Sequence, residues 1–164
     1  MAAQSPSQAL TQTLMVLDTN IISETLKQNP NDNVIAWLLQ NQEHLYLTAI
    51  TIGELLEGAY RLPEGKRREN LLLAIERIII GYKERILVYD GNAAQVYASL
   101  QDESRRNGRT LTVEDGMIAA ICLSQKATLA TRNTRDFSPL RIALANPFED
   151  PTPDITIIDL DDVP

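Results

Sequence analysis

The chain is predicted to fold as an α/β sandwich around a mostly parallel central sheet, and three observations carry that expectation. Short apolar runs recur at residues 14–17, 45–47, 86–88 and 128–130, with a last edge strand expected at 142–144. Stretches with helical apolar spacing lie between them. Neither an internal repeat nor a long linker interrupts the alternation, so 164 residues are expected to build one domain around one core. Short buried strands alternating with helices are the pattern of crossover-connected parallel strands.

The elements follow in order. The first strand, 14–17, ends at the polar Asp18-Thr19-Asn20. Residues 21–27 read as one or two helical turns, broken at Asn29-Pro30-Asn31, and 34–39, with Trp37, as a second short helix. After the strand at 45–47, Thr48 or Thr51 caps a helix running to about Leu62. Pro63-Glu64-Gly65 is a turn. The helix expected over 66–81 carries Leu72, Ile75, Ile79 and Ile80 on its apolar face. Asp90 caps the next helix, which Gly108 ends as a left-handed residue. Thr112-Val113-Glu114-Asp115 opens a helix to about Gln125, with acids in its first turn as the helix dipole prefers. Residues 1–13 read as a disordered leader and 149–164 as an acidic tail, within which 155–160 are expected to form a strand or pack on a partner.

Charge and cysteine content narrow the function classes. The net charge of −7 seats heavily in the tail, where six acids and no base follow from Glu149. The rest holds 16 acids against 15 basic residues, so charge neither vetoes nor recommends a nucleic-acid ligand. Basic clusters at Lys66-Arg67-Arg68, at Arg105-Arg106 with Arg109, and at Arg132 with Arg135 suit either phosphate contact or a solvated helix face. One cysteine, Cys122, leaves no intramolecular disulfide and fits a reducing cytoplasm; with one histidine, His44, it also excludes a zinc site of Cys and His alone. No apolar run approaches the roughly 18 residues of a membrane span, and the leader lacks the basic residue of a signal peptide.

Four acids stand where acidity is locally unwelcome. Asp18 closes the first strand, at the edge where open parallel sheets collect ligands. Glu54 sits in an apolar segment, expected in the first turn of its helix with Gly58 leaving room for close packing. Asp115 shares a helical stripe with Leu111, Ile118, Ala119 and Cys122, and Asp136 follows the strand around Leu129 within reach of the same edge. Each has a plainer reading: a helix cap for Asp18, a dipole partner for Asp115, a surface residue for Glu54, a turn cap for Asp136. Together, converging carboxylates point to a hard divalent cation, since burying such charges uncompensated costs several kcal/mol (roughly).

Leu17-Asp18-Thr19-Asn20, Ile50-Thr51-Ile52-Gly53-Glu54-Leu55, Glu114-Asp115-Gly116-Met117-Ile118-Ala119-Ala120 and Ala130-Thr131-Arg132-Asn133-Thr134-Arg135-Asp136-Phe137 resemble, in order, spacing and flanking residues, the four motifs of PIN-domain ribonucleases, especially the VapC and FitB toxins of bacterial toxin–antitoxin pairs. The resemblance runs from about Met15 to Asn146-Pro147-Phe148 and implies a three-layer α/β/α PIN-like sandwich over 14–148. It implies that Asp18, Glu54 and Asp115 bind Mg²⁺ or Mn²⁺. Some relatives carry the fourth acid where this chain has Asn133 and others at the Asp-Phe pair; Asp136 is favoured here, with Asn133 as a water or phosphate contact. Thr19 and Asn20 are expected to orient Asp18 or the scissile phosphate, with helix capping as the plainer role, and Arg132 to clamp a phosphate or sit in a structural ion pair. Partners so implied are an RNA substrate, an antitoxin, and a second copy of the chain seated on the helices over 66–81 and 90–107. The acidic tail is expected to be disordered or to cover a basic RNA-facing surface.

Rival chemistries lack their parts. No Ser/His/Asp arrangement is present, and one histidine cannot supply a ribonuclease His pair. No glycine-rich loop follows the first strand for a dinucleotide, and Asp18-Thr19-Asn20 lacks the second acid of aspartyl-phosphate phosphatases. A flap nuclease shares the fold but carries DNA-clamping insertions absent here. The alternative kept open is a low-activity PIN-fold protein-binding module.

Overall fold

In the computed structural model, which describes residues 14–149, five parallel strands form one sheet in the order β3-β2-β1-β4-β5. They are β1 (Met15–Leu17), β2 (Leu45–Thr48), β3 (Ile86–Leu87), β4 (Thr128–Ala130) and β5 (Ala143–Ala145). The helices are α1 (Thr19–Thr25), α2 (Asp32–Asn41), α3 (Ala49–Tyr60), α4 (Lys66–Gly81), α5 (Gly91–Arg106), α6 (Val113–Gln125) and the single turn α7 (Thr134–Phe137). The α/β expectation holds: every expected strand and helix between residues 14 and 149 forms, with ends shifted by a residue or two, and α7 is added to them. The expectations for residues 1–13 and 150–164 lie outside the described residues.

Side-chain alternation along each strand builds two cores. Val16 and Leu129 point into one, with Leu100, Ile118, Ile121 and Phe137. Leu17 and Ala130 point into the other, with Ile21, Trp37, Leu47, Leu55 and Ile75. The chain steps outward from β1 to β2 and β3, covering one face with α1–α4. It then returns across the sheet to β4, and because right-handed crossovers are strongly preferred, this reversal puts α5 and α6 on the opposite face. The direction of travel changes between β1 and β4, which opens a crevice at their carboxyl ends.

Caps account for most helix boundaries. Asp18 caps α1 through a bond from the Thr19 amide, which starts that helix at Thr19 rather than Ile21. Thr48, not Thr51, caps α3 by accepting from the Thr51 amide. That places Glu54 in the second turn instead of the first. Asp90 caps α5, and Gly108 follows it with φ of 65°. Among the described residues no helix is long and apolar enough to cross a membrane.

The α5–α6 contact hinges on Gly116. A Cβ there would stand 2.8 Å from Tyr97 Cε2 and 3.2 Å from Gln101 Nε2. The Tyr97 ring is itself held edge-on against Tyr89 and packs on the first core. Gly116→Ala is therefore expected to cost about 1–3 kcal/mol through overpacking, read as a lowered thermal midpoint; an unchanged midpoint would show that the ring yields freely. Gly58 behaves differently from expectation: a Cβ there meets nothing, so it borders open space rather than a close helix contact.

Candidate active site

The crevice between β1 and β4 holds three of the four acids. Asp18 projects from the end of β1 and is 6% exposed. Glu54 reaches it from α3, and Asp115 from the first turn of α6; both are half-buried. They line one open groove of about 460 Å³ together with Lys27, Arg132, Asn133 and Phe148.

Hydrogen bonds from neighbouring residues fix Asp18 and Glu54. Asp18 Oδ1 accepts from the Thr19 amide at 2.7 Å; Oδ2 accepts from Asn20 Nδ2 at 2.8 Å and from Thr131 Oγ1 at 2.6 Å. A carboxylate offers about four acceptor positions, so one remains on Oδ1. The Thr19 hydroxyl donates to Glu54 Oε2. Glu54 is carried on a cap tied to the sheet, since Thr48 and Thr51 are fully buried and the Thr51 hydroxyl reaches the Leu17 carbonyl at 3.4 Å.

Thr131 is the residue whose role local sequence reasoning missed. It is fully buried at the end of β4. Besides donating to Asp18, its hydroxyl accepts from Asn20 Nδ2 at 3.1 Å and from the Asn133 amide at 3.0 Å. One oxygen thus ties β4, α1 and the start of α7 to the central acid. Its only sequence signal was a polar residue closing an apolar strand, as at Asp18.

The polar residues around the acids divide by how much bonding capacity is already used. Asn20 bonds on both sides of its amide, Nδ2 to Asp18 and Thr131, and Oδ1 to the Arg132 amide at 3.1 Å. That geometry orients Asp18. The Arg132 guanidinium makes no ion pair among the described residues and lies 4.7 Å over the Phe148 ring, facing the groove. Glu24, buried beneath it, pairs with Lys27 at 2.5 Å and accepts the Asn31 amide, and Lys27 holds its carboxyl below the ordinary range. Asp136 is set apart. It is exposed, accepts from Asn133 Nδ2 at 2.5 Å, and lines a separate cavity that shares only Asp115 with the groove.

The electrostatics are those of crowded like charges. Asp18 is held above the usual carboxylate range by burial first and then by Asp115. Glu54 is raised by burial, then by Asp18, Asp115 and Glu114; Asp115 by burial, then by Asp136 and Glu114. Raised carboxyls bind protons more tightly folded than unfolded, so they cost stability as pH rises. In a chelator, the thermal midpoint is expected to fall as pH climbs from about 4, the unperturbed value, through the raised range, with Glu24 opposing the trend only at the acid end. A midpoint that rises steadily from pH 5 to 8 would contradict this arrangement.

The donor set suits a hard cation in part-hydrated form. Among the described residues no three acids, histidines or cysteines form a ready-made metal cage. Mg²⁺, however, takes only a few protein oxygens and keeps several waters. Carboxylates raised by burial first and then by one another, with an unfilled acceptor position on the most buried of them, match that need. Bonds from Thr131 and Asn20 supply the outer support that such ligands require.

Residues 15–141 match the PIN domain family. The chain is similar to the toxin FitB of Neisseria gonorrhoeae, with 37% identity over 139 residues, 84% of this chain and 100% of the relative. It is equally similar to the VapC ribonuclease Y4jK of Sinorhizobium fredii, at 37% over 83% of this chain and 99% of the relative. Its fold superposes on the crystal structure of FitAcB from Neisseria gonorrhoeae with a TM-score of 0.78 at 37% identity, covering 84% of this chain and 100% of that one. With the family match over residues 15–141, and the similarity to these relatives over more than four-fifths of its length, the chain belongs to the PIN domain family.

Proposed function

We propose that the chain is a divalent-cation-dependent endoribonuclease and the toxin of a toxin–antitoxin pair. One observation carries the chemistry: Asp18, Glu54 and Asp115 converge, half-buried or more, on one groove, and among the described residues none of the three makes an ion pair, although Lys27 and Arg132 line the same groove. Relatives named as toxin and ribonuclease support the biological assignment.

In this reading Asp18 and Asp115 hold Mg²⁺ or Mn²⁺, with Glu54 completing the set. When bound, the cation would supply charge stabilisation to hydrolysis at phosphorus. Glu54 orients the attacking water, with the Thr19 hydroxyl setting its carboxylate. Asn133 and Arg132, at the groove edge, contact the phosphate, and the Phe148 ring beneath Arg132 limits where its guanidinium can swing. Asp136 acts at one remove, through its field on Asp115 and its bond to Asn133.

The proposed partners follow from surface and charge. An antitoxin segment bearing a basic group would satisfy the same acids, and a second copy of the chain would cover α4, whose Leu73 and Ile80 are 52% and 61% exposed. The buried Cys122 thiol, pushed up to about 12 chiefly by burial, is chemically inert and fits action in the cytoplasm.

The test is cleavage of an RNA and single-stranded DNA panel with Mg²⁺, Mn²⁺ or EDTA, beside thermal melts under the same conditions. RNA cleavage is expected with metal alone. The midpoint should also rise, since a cation at 100 times its Kd adds about 2.7 kcal/mol. Cleavage unaffected by EDTA would reject the metal mechanism; no cleavage and no metal-induced shift would favour the protein-binding module.

A further inference from the structure

We infer that the cavity beside Asp115, built by the α5–α6 loop and the segment after β4, is a subsite for the nucleotide adjoining the scissile phosphate. The inference rests on the ribonuclease reading and deepens it by naming how the chain selects its substrate.

The cavity encloses about 330 Å³, at the lower end of the about 300–1,000 Å³ range of small-molecule sites. Leu111 and Leu140 give it apolar lining against which a base can rest. Asn107 offers both an amide donor and an acceptor to a base edge. Arg109 and Arg135 line it as well, are exposed, and make no ion pair among the described residues, unlike Arg105 and Arg106, which both pair with Asp102. Two uncommitted guanidiniums around an apolar floor suit a base and the phosphate attached to it.

Continuity with the groove fixes the assignment. Asp115 is the one residue common to both depressions. A strand whose phosphate lies at Asp18 and Asp115 therefore meets Lys27 and Arg132 in the groove and Arg109 and Arg135 in the cavity. The acids Glu103, Asp115 and Asp136 also border the cavity, so free phosphate is a poor occupant there. The base supplies the selectivity and the two arginines offset the acids.

The experiment compares wild type with an Arg109→Gln, Arg135→Gln double variant, and with Arg105→Gln, Arg106→Gln as a control of equal charge. Binding of labelled trinucleotides, each base in turn and an abasic position, is read by fluorescence anisotropy in EDTA; cleavage of a randomised RNA pool in Mg²⁺ is read by sequencing the cut ends. Wild type should bind its preferred base about tenfold more tightly than the abasic probe. The double variant should lose that margin, lower the salt slope by about 0.7 for each phosphate contact removed, and change preference at one position beside the cut. The control should do none of these. Indifference to the base, or an equal loss in the control, overturns the subsite; if wild type still cleaves RNA, the ribonuclease reading survives. Base-dependent binding that the double variant loses, with no cleavage by wild type in Mg²⁺, keeps the cavity as a nucleotide site and overturns the ribonuclease reading.

Discussion

Asp115→Asn is expected to lower RNA cleavage by about 10²–10⁴-fold while leaving the protein folded and at least as stable without metal. Under the proposed mechanism the loss would follow from removing one oxygen ligand of a cation whose transition-state stabilisation would amount to several kcal/mol (roughly), each 1.36 of which (about) is tenfold in rate. Stability moves the other way because Asp115 is raised by burial and by Asp136 and Glu114, so a neutral amide relieves repulsion. Single-turnover cleavage and a thermal melt in EDTA read the two effects separately. Near-wild-type cleavage in saturating Mn²⁺ would remove Asp115 from the site. Asp18→Asn is the less clean variant. Oδ1 and Oδ2 of Asp18 both accept hydrogen bonds, so either amide orientation sets a donor against a donor, at a cost of about 1–3 kcal/mol. Its activity loss would mix ligand removal with a disturbed fold.

Thr131→Val should weaken Mn²⁺ binding by about 10–100-fold although Thr131 itself contributes no ligand. Valine matches the shape but cannot donate to Asp18 or accept from Asn20 and the Asn133 amide. Asp18 loses its strongest orienting bond, and the Asn133 amide loses its acceptor. Thr131→Ser retains the hydroxyl and should recover most of the affinity. Calorimetric Mn²⁺ titration separates the outcomes: a Val variant that is less stable but binds Mn²⁺ normally would make the threonine a structural bolt only.

Much of this was legible in the chain before folding was considered. Apolar runs of three or four residues marked all five strands; the three inner ones, β1, β2 and β4, are largely buried between helix layers and need no polar alternation, while the edge strands β3 and β5 are only partly buried. Caps at Asp90 and Thr112 and the glycine at 108 set helix ends, because capping is chemistry between near neighbours. Other boundaries left no local sign. The start of α1 at Thr19 and the place of Glu54 in the second turn of α3 rest on Asp18 and Thr48 caps that the sequence left open, and α7, a single turn, was not announced at all.

The site divides the same way. Composition and position singled out Asp18, Glu54, Asp115 and Asp136, since an acid in an apolar context is anomalous in one dimension. The folded chain alone decided how they group. Asp18 and Thr131 lie 113 residues apart and meet because the chain reverses direction between β1 and β4, bringing two strand ends side by side. The same reversal sends α3 and α6 to opposite faces, so Glu54 and Asp115 approach the crevice from either side. Asp136 turns into the adjoining cavity because Asn133 holds its carboxylate there. The sequence by itself determined which side chains carry the charge and which residues can be buried. Tertiary structure decided which of those charges share one groove, because convergence is set by strand order and crossover hand, properties that no local stretch of residues encodes.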